Sequence, residues 1–367
     1  MRSVFWVAVP RWNFAPQIKA VHNSGTRDRS AIDAERQRAS CLEMTKSNYF
    51  VEGVIAKALY GQVLLCRNEK GGRAAVKRVD LSISGTRPSD LDDLDEMSVR
   101  DEIEAEKHVN LVLQKHRHRN LVAMDDHFEV DGFQHFVFEY CANGELFDAL
   151  KHAKGGRFSE LRALHYFRQI VAGVHHMHRH GYAHRDLSLE NVLLTKDNVC
   201  KVCDFGLAVP LPGVATETVG KLNYMAPEVH AGDVYDPALA DVWSLGMMLF
   251  IMLSGVPLVD VPSDSDRRFT ILHEYGVEAI VGMWHMEHLI SHAILDLLQS
   301  MLLVHPSKRA TIAQVKRYLD TMDRPEVPPP PPMQSRGKAK KPKKVATKLK
   351  QPMVGGGKWR SLFQRWF

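Results

Sequence analysis

The alternation of apolar and polar positions changes period several times along the chain. From Asn48, the run YFVEGVIAKALYGQVLLCRN alternates with a period of two and predicts two strands joined by a turn. AAVK, Ala74 to Lys77, has the apolar flanks of a central strand, with Lys77 as a partly buried exception. From about Ser98 the pattern turns helical. Glu102 and Glu106 share one face, and Val109 and Leu113 continue the spacing after Glu106. IVAGV near Ile170 and DVWSLGMMLFIMLSG from Asp241 read as buried helices, and the apolar run from Cys200 to Asp204 reads as a strand. No stretch reaches the ~18 apolar residues that suggest a membrane span.

Composition adds the organisation. The 367 residues suit one large domain with tails, and 45% hydrophobic with 25% charged residues suits a soluble globular protein. The net charge of +5 is unevenly placed, because Arg336 to Phe367 holds eleven Lys and Arg and no Asp or Glu. The remainder is mildly acidic at −6, which argues against a nucleic-acid-binding domain and for no specific nucleic-acid recognition. Pro328 to Pro332 are five consecutive prolines, which favour polyproline II. The lysine-rich RGKAKKPKKVATKLK follows, then Gly355 to Gly357 and KWRSLFQRWF.

Five cysteines, at 41, 66, 141, 200 and 203, show no disulfide pattern and point to a reducing compartment. A single CxxC, Cys200 to Cys203, on a strand would send its two sulfurs to opposite faces, so metal binding is disfavoured. MRSVFWVAVPRW carries one Arg and a short apolar run ended by Pro10 and Arg11, at the lower limit for a signal peptide. The expected location is cytoplasmic, with nuclear entry or peripheral membrane association through the tail as variants. Residues 1–47 read as a flexible extension, 48–320 as the domain and 324–367 as the tail.

Three motifs carry the chemistry. HRDLSLENVLL starts at His184, DFG spans Asp204 to Gly206, and APE spans Ala226 to Glu228. In this order and spacing they resemble the eukaryotic protein kinases, most closely the Ser/Thr type, over about Asn48 to Leu319. The resemblance implies an α+β, two-lobed fold. A small antiparallel sheet with one main helix forms the first lobe, about 48–138, and a mainly helical second lobe spans about 145–320. It implies ATP and Mg²⁺ as cofactors and protein hydroxyls as acceptors. Asp186 would orient the acceptor hydroxyl, and Asn191 and Asp204 would supply hard oxygen ligands to the metal.

The small-lobe residues follow from the same resemblance. The glycine-rich phosphate loop aligns with Ala56, Ala58 and Gly61, followed by Val63, so two of its three glycines are alanines. Alanine is the mildest replacement and predicts a stiffer lid with weaker but retained nucleotide binding. Lys77 would pair with phosphate and with a carboxylate on the following helix, for which Glu106 fits better than Glu102. Val63 and Ala75 would cover adenine, with Leu193 completing the nucleotide site. Phe138 would be a bulky gatekeeper, Glu139 and Cys141 would offer backbone groups, and Glu145 would face ribose or substrate. Cys203, next to Asp204, would be a pocket thiol or a buried inert one.

Two departures meet in the family's geometry. The lysine usual two positions after the catalytic Asp is Ser188, and the threonine usual after Gly220 is Lys221. A phosphoryl transition state needs the positive charge, so Lys221 is a candidate relocated cation. The usual activating phosphosite falls on Glu217, between Thr216 and Thr218, where a fixed carboxylate could face Arg185. Asp241 is expected to anchor the catalytic loop and Arg309 to pair with Glu228. His175, His176, His178 and His180 read as solvated or core residues of a helix rather than a metal cluster. The primary expectation is an active Ser/Thr protein kinase, and the alternative is a nucleotide-binding scaffold that no longer transfers phosphate. The tail reads as a solvated, disordered segment, as a polyanion contact through its lysines, or as an anchor docking on an anionic membrane surface or on the kinase domain itself, with Trp359, Leu362, Phe363, Trp366 and Phe367 at spacings compatible with one helical face.

Overall fold

The computed structural model describes residues 49–58, 60–82 and 99–322. The readings of residues 1–47, of the acidic run DLDDLDE and of the tail lie outside the described residues.

The alternating N-terminal segments form a five-stranded antiparallel sheet in the order β1-β2-β3-β5-β4. The strands are β1 (Tyr49–Ala58), β2 (Gly61–Asn68), β3 (Arg73–Asp80), β4 (Met124–Val130) and β5 (Phe133–Glu139). Period-two alternation separates two apolar layers. Leu64, Cys66, Ala74, Val76 and Val137 pack on one face, while Val79, Phe136 and Phe138 belong to the main core on the other. On that second face β2, β3 and β5 set Val63 opposite Lys77 and Lys77 opposite Phe136. Directly opposed residues point to the same side, so Lys77 emerges where the apolar face meets the cleft. Helix α1 (Val99–Lys115) carries Glu106 to the same place.

The larger lobe is mainly helical. Its helices are α2 (Leu146–Lys151), α3 (Glu160–Arg179), α4 (Pro227–Ala231), α5 (Pro237–Ser254), α6 (Arg267–Met283), α7 (His292–Met301) and α8 (Ile312–Thr321). α5 is long and apolar enough to cross a membrane by length and composition, yet it is largely buried inside the lobe. Trp243, Leu245, Leu249 and Phe250 have no exposed surface. Asp236 caps α5 by accepting from the Ala238 amide, and Pro237 supplies a preset first turn. Two short ladders sit at the cleft edge: β6 (Tyr182–Ala183) with β9 (Val209–Pro210), and β7 (Val192–Leu194) with β8 (Cys200–Val202). They hold His184 to Asn191 and Cys203 to Ala208 as two adjoining loops. This is the α+β, two-lobed arrangement that the motifs imply.

Candidate active site

The loop between β6 and β7 is fixed by one buried carboxylate. Asp241 of α5 accepts from the amides of His184 and Arg185, each at 2.8 Å, and from His178 Nε2 at 2.7 Å. Burial alone would raise the Asp241 pKa, but the bonds and charge from His178 and the His184 amide hold it below the usual carboxylate range. Arg185 takes a positive φ of 63° inside this clamp. The loop is therefore set by three donors on one anion, and its geometry does not depend on a ligand.

Asp186 and Asn191 face each other across the loop. Asn191 Nδ2 donates to Asp186 Oδ2 at 2.7 Å and to the Asp186 carbonyl at 2.8 Å. That orientation leaves the amide oxygen of Asn191 available to a cation. Asp186 Oδ1 is buried and has no protein partner among the described residues. Burial raises the Asp186 pKa, opposed by Lys221 and His184, which makes the carboxylate a better proton acceptor than an exposed aspartate. Asp204 follows β8 at a positive φ of 67°. Its Oδ1 lies 3.5 Å from Lys77 Nζ.

Lys77 closes the site from above. Its ammonium sits 2.7 and 2.8 Å from the two carboxylate oxygens of Glu106. Burial would lower its pKa, but the charges of Glu106 and Asp204 outweigh this and keep it well above the ordinary lysine range. Lys77 is thus a permanent cation shared by two carboxylates. Phe205 is buried and meets His184 edge-on, with ring centroids 5.7 Å apart. His184 Nε2 in turn donates to the Cys203 carbonyl at 3.0 Å.

The cleft between the lobes is lined by Ala75, Phe138, Glu139, Cys141 and Leu193, with Lys77 and Asp204 at its inner end. Ala56, Val63 and Ala75 form one apolar cluster above it, touched by Ile55 and Tyr140. The β1–β2 pairing continues to Ala58 opposite Gly61. A Cβ on Gly61 would lie 1.9 Å from the Arg78 carbonyl of β3. Glycine at 61 is therefore demanded by strand packing, whereas Ala56 and Ala58 are accommodated. The Glu139 side chain is engaged away from the cleft, with Lys201 Nζ at 2.7 Å and the Ala123 amide at 2.8 Å, leaving its backbone as the part that can face a ligand. Cys141 and Cys203 are both buried, and Cys203 Sγ donates to the Asn191 carbonyl at 3.4 Å. Burial raises both thiol pKa values, that of Cys141 to about 12. Of the two readings of Cys203, the geometry favours the buried, inert thiol, which lines the cleft.

Ser188 and Lys221 meet. Lys221 Nζ donates to Ser188 Oγ at 2.7 Å and lies 3.9 Å from Glu190 Oε2. Gly220, at φ +94°, makes the approach possible, since a Cβ there would stand 2.8 Å from the Arg185 carbonyl. Ser188 is fully buried, so the ammonium is led into the loop beside Asp186. Glu145 is also buried. Burial, then the nearby Asp148 and Glu190 carboxylates, pushes its pKa up to about 8.

Arg185 bridges the loop to the segment after Asp204. It donates to the Leu207 carbonyl and to Glu217 Oε2, each at 2.8 Å. Arg309 makes two bonds to Glu228, at 2.6 and 3.0 Å, with both side chains buried. The histidine reading is sharpened at one residue. His178 is a core residue, as one branch of that reading has it, and its buried ring donates to Asp241 and so belongs to the loop's anchor. Only the fold could reveal this, since the two residues are 63 positions apart.

The comparisons agree with this geometry. The family model for the protein kinase domain matches residues 49–319. The chain belongs to the protein kinase family. It is 33% identical over 331 residues to calcium-dependent protein kinase 4 of Solanum tuberosum, covering 83% of this chain and 55% of that protein. It is 34% identical over 236 residues to serine/threonine-protein kinase SRK2F of Arabidopsis thaliana, covering 62% of this chain and 66% of that protein. It is 32% identical over 266 residues to NUAK family SNF1-like kinase 2 of Homo sapiens, covering 72% of this chain and 38% of that protein. The chain thus spans between 38% and 66% of the length of these curated relatives.

Proposed function

We propose that the chain is an active protein serine/threonine kinase that moves the γ-phosphoryl group of ATP to a protein hydroxyl. The observation that carries this reading is the simultaneous presence of the Lys77–Glu106 pair, Asp204 beside it, and Asp186 held by Asn191. The alternative, a nucleotide-binding scaffold, is favoured only by Ala56, Ala58 and Ser188.

The donor set fits Mg²⁺. Asp204 offers a carboxylate, and Asn191 offers the amide oxygen left over when its NH₂ binds Asp186. Bound there, the metal supplies charge neutralisation on the phosphates. Val63, Ala75 and Leu193 sandwich the adenine, and the backbone at Glu139 and Cys141 reads its edge. Lys77 holds the phosphates from the small lobe. The acceptor hydroxyl is oriented by Asp186. Its oxygen bonds to the γ-phosphorus, the bond to the bridging oxygen breaks, ADP departs, and the hydroxyl proton passes to Asp186. Lys221 supplies the cation next to the transferring group that Ser188 cannot supply. A cytoplasmic location, and contact of the basic tail with an anionic surface, complete the reading as proposals.

Incubating the purified chain with γ-labelled ATP, Mg²⁺ and generic acceptor proteins tests it. Label should appear on Ser or Thr, and Asp204→Ala should lower the rate by on the order of 10³-fold. Label no higher than in Asp204→Ala would leave the scaffold reading.

A further inference from the structure

Four imidazole rings adjoin in a row outside the catalytic site, one pair stacked and two tilted. His116 meets His180 at 4.4 Å between centroids, His180 meets His176 at 4.1 Å, and His176 meets His118 at 4.7 Å. His116 and His118 lie on the connection from α1 to β4, and His176 and His180 lie at the end of α3. We propose that this row is an acid-sensitive joint, which opens when His118 and His176 are protonated and thereby lowers kinase activity. The proposal rests on the kinase reading above and adds its regulation.

The hydrogen bonds set the protonation that the joint requires. His176 Nε2 donates to the His116 carbonyl at 2.7 Å, and His180 Nδ1 donates to the His176 carbonyl at 2.8 Å. His118 Nδ1 accepts from the Asn120 amide at 3.2 Å. A proton on that nitrogen removes the bond and turns acceptor into donor. Protonating two neighbouring rings also places like charges within about 5 Å, where they repel strongly.

The surroundings offer no relief. Arg119 from the connection and Lys201 from β8 act on His118, Arg179 of α3 acts on His176, and Lys316 of α8 with Arg179 acts on His175. Of the carboxylates on neighbouring elements, Asp125 of β4 pairs with Arg117, Glu139 of β5 with Lys201 and Asp320 of α8 with Lys316. Burial, then the neighbouring His176 and these cations, lowers the pKa of His118 to about 4, and burial likewise lowers those of His175 and His176. The sign follows. A histidine of depressed folded pKa binds its proton more readily when the joint is open. The closed joint is therefore fully favoured above the free value near 6.5 and is lost as pH falls from there toward about 4.

The joint reaches the catalytic groups through the backbone. The Asn120 carbonyl accepts from the Val202 amide at 2.9 Å, the Val122 amide donates to the Val202 carbonyl at 2.9 Å, and Asn120 Nδ2 donates to the Cys200 carbonyl at 3.0 Å. β8 leads directly to Asp204. On the other side, His116 ends the helix that carries Glu106, its amide donating to Leu113 at 3.2 Å. Gly173 of α3 packs so close that a Cβ there would lie 2.6 Å from the Asn120 carbonyl. Opening the joint loosens Glu106 and Asp204 together.

Turnover and amide hydrogen exchange at 116–122, corrected for intrinsic rate, are measured from about pH 7.5 to about pH 5.5 on the full chain. A drop in turnover of about tenfold or more, reversible and parallel to lost protection, is expected. In His118→Asn/His176→Gln, which keeps the acceptor and the donor without the titration, the drop should shrink to about threefold or less. An equal drop in both proteins, or unchanged protection at the lower pH, overturns the proposal. If the chain transfers no phosphate at any pH, the kinase reading fails alone and the exchange arm still decides the joint. Should the double variant not fold, the single variant His118→Asn must move the loss of protection to lower pH, and an unmoved value overturns the proposal.

Discussion

The floor of the cleft and its roof differ in how their functional groups are held. On the floor, Asp241 fixes two amides and one imidazole, and Asp186 and Asn191 stand on the loop that these bonds anchor. In the roof, Ala56 and Ala58 occupy strand positions where a methyl group fits, and the strands stay paired as far as Ala58 and Gly61. The cation beside Asp186 resembles the roof. Lys221 Nζ reaches Ser188 Oγ, so under the proposed mechanism a side chain from either position would deliver the charge to one place in space. Groups held by several backbone bonds are tied to one sequence position. A charge or a short side chain with a single contact can be exchanged or relocated.

The largest effect that sharpens this contrast is at Lys221. Lys221→Thr should lower turnover by on the order of 10²-fold with little change in ATP affinity, the loss expected for a transition-state charge. A rise in KM with unchanged turnover would make Lys221 a binding residue only. Next comes Glu217, which holds Arg185 from an exposed position. Glu217→Ala should reduce turnover of phosphatase-treated protein by about fivefold, the kinetic equivalent of the ~1 kcal/mol carried by a half-exposed ion pair. An unchanged rate, or a larger loss in phosphorylated protein, would move the latch to Thr216 or Thr218. The smallest effect is in the roof. Ala58→Gly should lower the KM for ATP by about twofold while costing roughly 0.5–1 kcal/mol in stability. A higher KM would show that the stiffer strand assists the nucleotide.

Much of this was legible in the sequence, for physical reasons that can be named. Alternation gave β1 to β3 because one sheet face is buried and the other layer is thinner. Helical spacing gave Glu106, since Val109 and Leu113 must face the core and Glu106 precedes them by one turn. Motif spacing located Asp186, Asn191 and Asp204 because the two short ladders β6–β9 and β7–β8 set the lengths of both loops. What stayed hidden was brought together by tertiary packing. His178 reaches Asp241, and His176 stacks on His118, across separations that no local pattern encodes. The choice between the two readings of Cys203 stayed open, because a strand end beside a cleft can point its side chain either way.

The exchangeable cation is the part of the account most open to direct contradiction. Single-turnover phosphoryl transfer should be compared among the native chain, Lys221→Thr, and Lys221→Thr combined with Ser188→Lys. The account requires the second protein to lose on the order of 10²-fold and the third to regain most of that loss. A third protein as slow as the second, with Asp186 and Asp204 intact, would show that position 188 cannot host the charge and that Lys221 acts in some other way.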